Sequence, residues 1–321
     1  MTLRIFAVAG LVFALAGPAG AADYPDQPIK LIVPTAPGGI NDVIARLIQP
    51  GLAAALKQPI VVENKPGANN IIGTDFVAKS RPDGYTLVVV PASHSVNPAV
   101  QATMPFDTEK DLTPVILIGK NPMLFLINPA VHANTMKEFV AAAKAQPGGF
   151  SYSTPGVASQ AHLIIAQLTG MEGVNAVQIP YRGGAPAMLA AISGEAQFTL
   201  MSSSLAAPQV EAGKLRALAI GGLQRDPRLP NVPTLAEAGF PGMEAVTWAG
   251  IFAPAGTPPA IIDRLNGEID RIIHEPDVAA NLKKHGFIID GGRPEVLGRL
   301  VREEIARWTA VARKSHIMVK R

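Results

Sequence analysis

The segment VPTAPGGINDVIAR, residues 33–46, joins an apolar run to a helical pattern through two adjacent glycines. The first N–H groups of a helix have no partners within the helix and carry about half a positive charge, so they bind anions. Glycine lets an anion approach these groups because it has no Cβ. The segment predicts an anion site, whereas a tight turn capped by Asp42 is the structural alternative. The candidate binding residues here are Pro37, Gly38, Gly39, Ile40, Asn41 and Asp42.

The same arrangement occurs a second time. The run FSYS, residues 150–153, is followed by a Thr-Pro-Gly loop, and a second helical pattern begins after it. If the two segments lie in opposite domains, their helix N-termini face each other across a cleft and can hold a carboxylate from both sides. Neither segment has the G-K-[ST] ending of a phosphate loop or the G-x-G-x-x-G of a dinucleotide site. The candidate binding residues are Ser153, Thr154, Gly156 and Ser159, with helix capping as the alternative role of Ser159.

Two further groups of polar residues follow strand-like runs. Ser93 comes after TLVVVPA, at the carboxyl end of a predicted parallel strand, where ligands of open α/β sheets bind. His94 beside it is predicted to be an ordinary loop residue. The sequence IPYRGG adds Tyr181, Arg182 and Gly183 after another strand-like run. The Arg182 guanidinium could hold a second carboxylate through two hydrogen bonds, or it could pair with an acidic residue on the surface.

Short β-branched runs alternate with helical patterns along the chain, which favours parallel strands with helices on both faces. The runs PVILIG at 114–119 and MLFLIN at 123–128 break the alternation, because no helical pattern separates them. The run VTWAGIFAP at 246–254 follows a loop rich in proline and charge and is interpreted as a returning strand. We therefore predict an α/β fold of two domains, with mostly parallel sheets, two crossing segments and a cleft between the domains.

The N-terminal residues have the three parts of a secretory signal peptide: a lone Arg4, an apolar stretch from Ile5 to Ala16, and small residues before cleavage near Ala21 or Ala22. The apolar stretch is shorter than the roughly 20 residues of a membrane span, which disfavours an anchor. We predict that residues 1–22 are removed and that the mature chain is exported. About 300 residues then remain, which suits two domains. The predicted domains are residues 23–122 with 249–321, and residues 123–248.

Composition excludes several classes of function. The net charge of +3 becomes +2 after signal removal, because Arg4 is lost and no acidic residue is lost with it. Lysine and arginine are scattered, so no nucleic-acid partner is predicted. The absence of cysteine excludes thiolate–zinc sites and cysteine nucleophiles.

Catalytic and metal motifs are missing too. The six histidines have no metal-ligand spacing, and the chain has no G-x-S-x-G elbow. We predict no metal, no cofactor and no enzymatic activity. A secreted hydrolase that uses Ser159 and His162 is the weaker alternative, because a capping serine and a helix-surface histidine explain that pair.

Five motifs follow one another from about residue 24 onward: YPDQPIKLIVPTAPGGINDVIAR, VVENKPGANNIIGTDFVAKSRPDGYTLVV, IPYRGGAPAMLAAISGEAQF, LPNVPTLAEAG and FAPAGTPPAIIDRLN. Together they resemble the solute-binding receptors of the tripartite tricarboxylate transporter system, often called the Bug family. The resemblance implies a two-domain periplasmic binding protein fold, of the type II-like class with two crossing segments. It also implies a monomeric periplasmic receptor that closes like a Venus flytrap on a small carboxylate and delivers it to a two-component membrane permease. In this family the ligand carboxylate lies against the loops that match residues 37–42 and 153–159, partly through ordered water.

The chain departs from the family pattern in two motifs. Asn69 and Asn70 replace two glycines of the usual G-A-G-G-N-I-G motif, and Thr35 stands where an aromatic residue commonly precedes A-P-G-G. These changes leave the identity of the ligand open among dicarboxylates, tricarboxylates, amino acids, nicotinate and aromatic acids. Reporting to a membrane sensor is an alternative to transport, because both functions need the same closing cleft.

Overall fold

The computed structural model describes residues 24–318, so the predicted signal peptide lies outside the described residues. Strands and helices alternate as the sequence predicts. In the first part of the chain the elements are β1 (Ile29–Val33), α1 (Ile40–Leu56), β2 (Ile60–Asn64), α2 (Ile71–Ala78), β3 (Thr86–Pro91), α3 (Ser93–Val100) and β4 (Leu112–Ile127).

The middle part contains α4 (Met136–Ala145), β5 (Phe150–Thr154), α5 (Gln160–Glu172), β6 (Ala176–Pro180), α6 (Gly184–Ser193), β7 (Phe198–Ser202), α7 (Ser203–Glu211) and β8 (Arg216–Ile220). The last part contains β9 (Val246–Pro254), α8 (Pro259–Ile273), α9 (Pro276–Lys284), β10 (Ile288–Ile289) and α10 (Pro294–Lys314). Within residues 24–318, no helix combines the length and the apolar character needed to cross a membrane.

Two sheets share one long strand. In the first sheet, β2, β1 and β3 are parallel, and β9 lies between β3 and β4, antiparallel to both. In the second sheet, β6, β5 and β7 are parallel, and β4 pairs antiparallel with β7 and β8. The two strand-like pieces expected at 114–119 and 123–128 are therefore one continuous strand, β4, that passes from one sheet into the other. The returning strand expected at 246–254 is β9, which pairs with β4 along its whole length.

The strand directions make the carboxyl edges of the two sheets face each other. β1 and β3 run in the direction of β4, because β9 is antiparallel to both β3 and β4, whereas β5 and β7 run against β4. The end of β3, Pro91, lies opposite Ala249, which pairs with Gly119 of β4. The end of β7, Ser202, pairs with Met123 of the same strand. The two edges are thus about four residues apart along β4, roughly 13 Å at strand geometry.

The C-terminal helix α10 packs against both halves of the molecule. Its first turns place Leu297 and Val301 against Trp248 of β9. Its last turns place Trp308 in the apolar cluster around Phe125 of the second sheet. The predicted domain bounds, which assign all of residues 249–321 to the first domain, remain a prediction.

Candidate ligand-binding site

The loop between β1 and α1 ends in a helix N-terminus with unused N–H groups. Gly39 is the N-cap, with φ −69° and ψ 162°, and no side chain caps the helix at this position. Among residues 24–318, no hydrogen bond uses the backbone N–H groups of Ile40, Asn41 or Asp42. The Asn41 side-chain amide is buried, and neither of its polar atoms has a hydrogen-bond partner among these residues. This end of α1 therefore offers several donors and one acceptor to a polar group.

The Asp42 carboxylate is used inside the protein. It accepts hydrogen bonds from the Gly38 N–H, Arg46 Nε and Asn64 Nδ2, each at 3.0 Å. The hydrogen bond from Arg46 is the main reason that the pKa of Asp42 falls to about 2, and the donors Gly38 and Asn64 add to it. Of the predicted binding residues, Asp42 can thus contribute only its backbone N–H, and its charge is balanced by Arg46.

We expect Asp42→Asn to lower the free energy of unfolding by about 1 to 3 kcal/mol at neutral pH, because a charged acceptor of three hydrogen bonds is lost. The folded-state pKa lies below the ordinary value of 3.8. The ionised carboxylate therefore stabilises the fold above about pH 4, and this contribution disappears as the pH falls through about 2. Urea unfolding of both proteins between pH 7 and pH 2 measures the difference. A difference that stays constant over this range would contradict the assignment.

In the loop between β5 and α5, the side chains of the predicted binding residues also form hydrogen bonds within the protein. Ser153 Oγ donates to Ala187 O at 2.7 Å. Thr154 Oγ1 donates to Gly156 O at 3.1 Å and accepts from Gln178 Nε2 at 2.7 Å. Neither hydroxyl hydrogen is available to a ligand, so these residues shape the loop from within.

Ser159 caps α5, because its Oγ accepts the His162 N–H at 3.3 Å. The His162 ring lies inside the protein and not on the helix surface as expected, and its Nδ1 accepts the Ala158 N–H at 3.1 Å. Burial lowers the pKa of His162 to about 4, which keeps the ring neutral. Among the described residues, the backbone N–H groups of Val157 and Gln160 enter no hydrogen bond. These groups are among the donors that the second loop offers.

The residues that follow β6 lie against this second loop. The Tyr181 N–H donates to Thr154 O at 2.9 Å, and the Gly183 N–H donates to Pro155 O at 3.1 Å. Arg182 between them is exposed, and within residues 24–318 it enters no ion pair or hydrogen bond. The surface ion pair considered as an alternative for Arg182 is therefore not formed with these residues.

At the end of β3, Ser93 is the first residue of α3 and is half-buried. Its Oγ accepts a hydrogen bond from Asn70 Nδ2 at 2.7 Å. The expectation that His94 is an ordinary loop residue is wrong, because His94 lies in α3 with its ring near those of Phe106 and Phe252. Burial lowers the pKa of His94 to about 3, so the ring is a neutral part of the core.

The predicted residues thus form two groups on facing edges. Residues 37–42 and 93 lie on the edge of the first sheet, and residues 153–159 and 181–183 lie on the edge of the second. Among the hydrogen bonds of residues 24–318, none joins the two groups. Within the same residues, no cluster of three or more His, Asp or Glu side chains could hold a metal ion.

Comparison with known proteins gives one consistent family. The model of the "Tripartite tricarboxylate transporter family receptor" matches residues 44–317. Protein BugT of Bordetella pertussis is 34% identical over 99% of this chain and 99% of its own length. The "UPF0065 protein in tcbD-tcbE intergenic region" of Pseudomonas sp. (strain P51) is 36% identical over 89% of this chain and 85% of its own length.

Two solved structures from Rhodopseudomonas palustris have the same fold. One contains adipate; it is 33% identical, has a TM-score of 0.80, and the match covers 92% of this chain and 99% of the other. The second is MatC with bound malate; it is 33% identical, has a TM-score of 0.77, and the match covers 90% of this chain and 99% of the other.

Proposed function

This chain belongs to the tripartite tricarboxylate transporter receptor family, and from that premise we propose that it captures a small organic carboxylate between its two sheets and delivers it to a two-component membrane permease. It is a solute-binding receptor and not an enzyme. We propose the periplasm as its location, with residues 1–22 as the signal that directs export. N-terminal sequencing of the protein from a periplasmic fraction tests this location, and a first residue near Ala22 or Asp23 is expected.

One observation carries the proposal: unused backbone N–H groups lie at two helix N-termini on facing sheet edges. The first set is at residues 40–42 and the second includes Val157 and Gln160. The nearby carboxylate of Asp42 is paired with Arg46, so it does not repel an incoming anion as a free charge would. Unused N–H groups at a helix N-terminus favour an anion through both hydrogen bonding and the helix dipole.

The mechanism follows from the two crossing strands. A carboxylate binds first to the N-terminus of α1, and rotation about β4 and β9 then brings the N-terminus of α5 onto the same group. The ligand stabilises the closed form only by the contacts that this form adds to those of the open form. Because both loops are held internally, by Asp42 and by Thr154, their N–H groups are in place before the ligand arrives, which lowers the entropy cost of binding.

A dicarboxylate fits the charges of the site best. One carboxylate is held by the two helix N-termini, and the unpaired Arg182 at the rim of the second group can hold the other through two hydrogen bonds. Adipate and malate, which occupy two relatives, are both dicarboxylates but differ in length and in hydroxylation. We therefore propose the dicarboxylate class and leave its length to measurement.

A thermal-shift screen of the mature chain tests binding. The protein is refolded to remove carried ligand and then mixed with mono-, di- and tricarboxylates, with amino acids and sugars as controls. A ligand present at 100 times its dissociation constant is expected to add about 2.7 kcal/mol, which raises Tm by about 5 °C. A folded protein that no carboxylate stabilises would overturn the proposed function.

Delivery to a permease needs a separate experiment. Membrane vesicles that contain the two permease components are expected to accumulate a labelled dicarboxylate only when the receptor is added to the outer side. Uptake that does not depend on the receptor, or binding without any uptake, would favour the sensory alternative.

A further inference from the structure

The loop between β2 and α2 is attached to the start of α3 by three side-chain hydrogen bonds. Asn70 Nδ2 donates to Ser93 Oγ at 2.7 Å. Asn69 Nδ2 donates to Asn97 Oδ1 at 2.6 Å, and Asn97 Nδ2 donates back to Asn69 O at 2.9 Å. Asn69 and Asn70 have φ of 51° and 74°, a left-handed conformation that asparagine tolerates better than most residues. The two asparagines therefore fit their backbone and fix the position of the loop.

This loop borders the candidate site. Gly73, in the first turn of α2, approaches the chain that follows β1 so closely that a Cβ there would lie 2.8 Å from the Pro34 Cβ. β3, which ends just before Ser93, pairs with β1 on its other side. Ser93, the end of β1 and Asn70 thus belong to one edge of the first sheet, the edge that carries the unused N–H groups of α1.

The hydrogen bond from Asn70 fixes what Ser93 can do. A serine hydroxyl has one hydrogen and two acceptor lone pairs. The amide of Asn70 occupies a lone pair, so the hydroxyl hydrogen must point elsewhere, and no residue among 24–318 accepts it. Ser95 in the same helix differs, because its Oγ lies within hydrogen-bond distance of two acceptors, Ala92 O at 2.9 Å and the Glu304 carboxyl group. Ser93 is left with a hydrogen to donate and an orientation that it cannot freely change.

We propose that Asn70 is a positioning residue that makes Ser93 a hydrogen-bond donor to the ligand carboxylate. The inference rests on the proposed function and adds a source of specificity to it. A donor at Ser93 stabilises a carboxylate oxygen, whereas a carboxamide NH₂ or an ammonium group at the same place would meet a second donor. Asn70 thus selects acids over their amides without itself contacting the ligand.

The variant Asn70→Asp tests this role with almost no change of shape. A carboxylate only accepts hydrogen bonds, so it takes the hydrogen of Ser93 and turns the lone pairs of Ser93 toward the ligand. The probes are succinate, malate and adipate, measured by calorimetry on the refolded mature chain. Affinity for the probe that the wild type binds best is expected to fall about 10- to 100-fold, the usual range for a hydrogen bond to a charged group.

Asn69→Asp is the matched control for charge. It adds the same charge one residue away, and its side chain contacts Asn97 and not Ser93. The Asn97 amide must turn to donate to the new carboxylate, so the variant also includes a change in loop hydrogen bonding. It is expected to change affinity about 3-fold or less, the size of a screened surface charge effect. Equal losses in the two variants would overturn the inference, because charge alone would then explain them.

A double-mutant cycle with Ser93→Ala separates positioning from a general effect on the loop. If Asn70 acts through Ser93, Asn70→Asp changes affinity by less than about 3-fold once Ser93 is alanine, since the two residues then no longer couple. The same fold loss in both backgrounds would overturn the inference and leave the proposed function intact. Failure of the folded wild type to bind these probes or any other carboxylate of the thermal-shift screen would instead overturn both.

Discussion

Gly39→Asp is expected to stabilise the ligand-free protein slightly while it weakens carboxylate binding about 100-fold or more, as loss of a main anion site would. Gly39 already has the backbone conformation of an N-cap, with φ −69° and ψ 162°. The side chain of an N-cap residue lies over the first N–H groups of its helix. An aspartate at this position therefore places its own carboxylate on the N–H groups proposed for the ligand.

The stability gain should be a few tenths of a kcal/mol, the usual difference between glycine and aspartate at an N-cap. The gain is small because the new Cβ would lie 3.2 Å from Ala36 O, which must shift slightly. Thermal unfolding without ligand and calorimetry with the best dicarboxylate measure the two effects. A gain in stability together with a loss of affinity would show that the new carboxylate occupies the anion site. A variant that is merely misfolded would lose both stability and affinity.

Gly267→Asp is the control for added charge. Gly267 lies in α8, and a Cβ there meets no atom within 4 Å. It should leave affinity within about 2-fold of the wild type, because an exposed charge outside the two binding loops is screened by salt. If Gly39→Asp binds as tightly as Gly267→Asp, the N-terminus of α1 is not the anion site.

Gly221→Ala is expected to destabilise the fold by about 3 kcal/mol, near the upper end for overpacking. Gly221 follows β8 at the point where both crossing strands meet: its N–H donates to Met123 O at 2.8 Å, and its carbonyl accepts the Ala245 N–H at 3.0 Å. A Cβ at this position would lie 2.1 Å from Ala245 O and 2.4 Å from the Ala245 Cβ. Backbone atoms cannot rotate away as a side chain can, so the strands must separate.

Calorimetric unfolding of the ligand-free protein measures this loss, which should lower Tm by about 5 °C or more. Gly170→Ala is the matched control, because Gly170 lies in α5 and a Cβ there meets no atom within 4 Å. Alanine in a helix is favoured over glycine by about 0.5 to 1 kcal/mol, so this control should gain stability. A Tm for Gly221→Ala within about 1 °C of the wild type would contradict the prediction. It would mean that the chain segments around Gly221 can move apart without loss of stability.

The sequence predicts the fold class well because its signals are local. Alternating β-branched runs and helical periodicity identify β3 and β9 within a residue or two of their observed ends. The glycines before α1 likewise mark a loop where backbone N–H groups are exposed. The sequence does not show that 114–119 and 123–128 form one strand, since that depends on pairing partners from both sheets.

The roles of the polar candidates depend on contacts between distant residues. The Asp42 carboxylate accepts a hydrogen bond from Asn64, which is 22 residues away. The Ser153 hydroxyl donates a hydrogen bond to Ala187 O, which is 34 residues away. His94 is buried because Phe252 of the returning strand covers it. No local sequence pattern reveals that a serine or an aspartate already has a hydrogen-bond partner within the protein. The candidate residues therefore include side chains that only stabilise the loops.

The sequence by itself determined the alternation of strands and helices, the two glycine-containing loops and, through five ordered motifs, the family. Each of these is encoded in residues that are neighbours along the chain, where periodicity and backbone preference act. Only the tertiary structure decided which donors remain free and that Asn70 contacts Ser93. The physical reason is that a hydrogen bond satisfies a polar group wherever its partner comes from, and in this protein the partners come from other strands of the sheet.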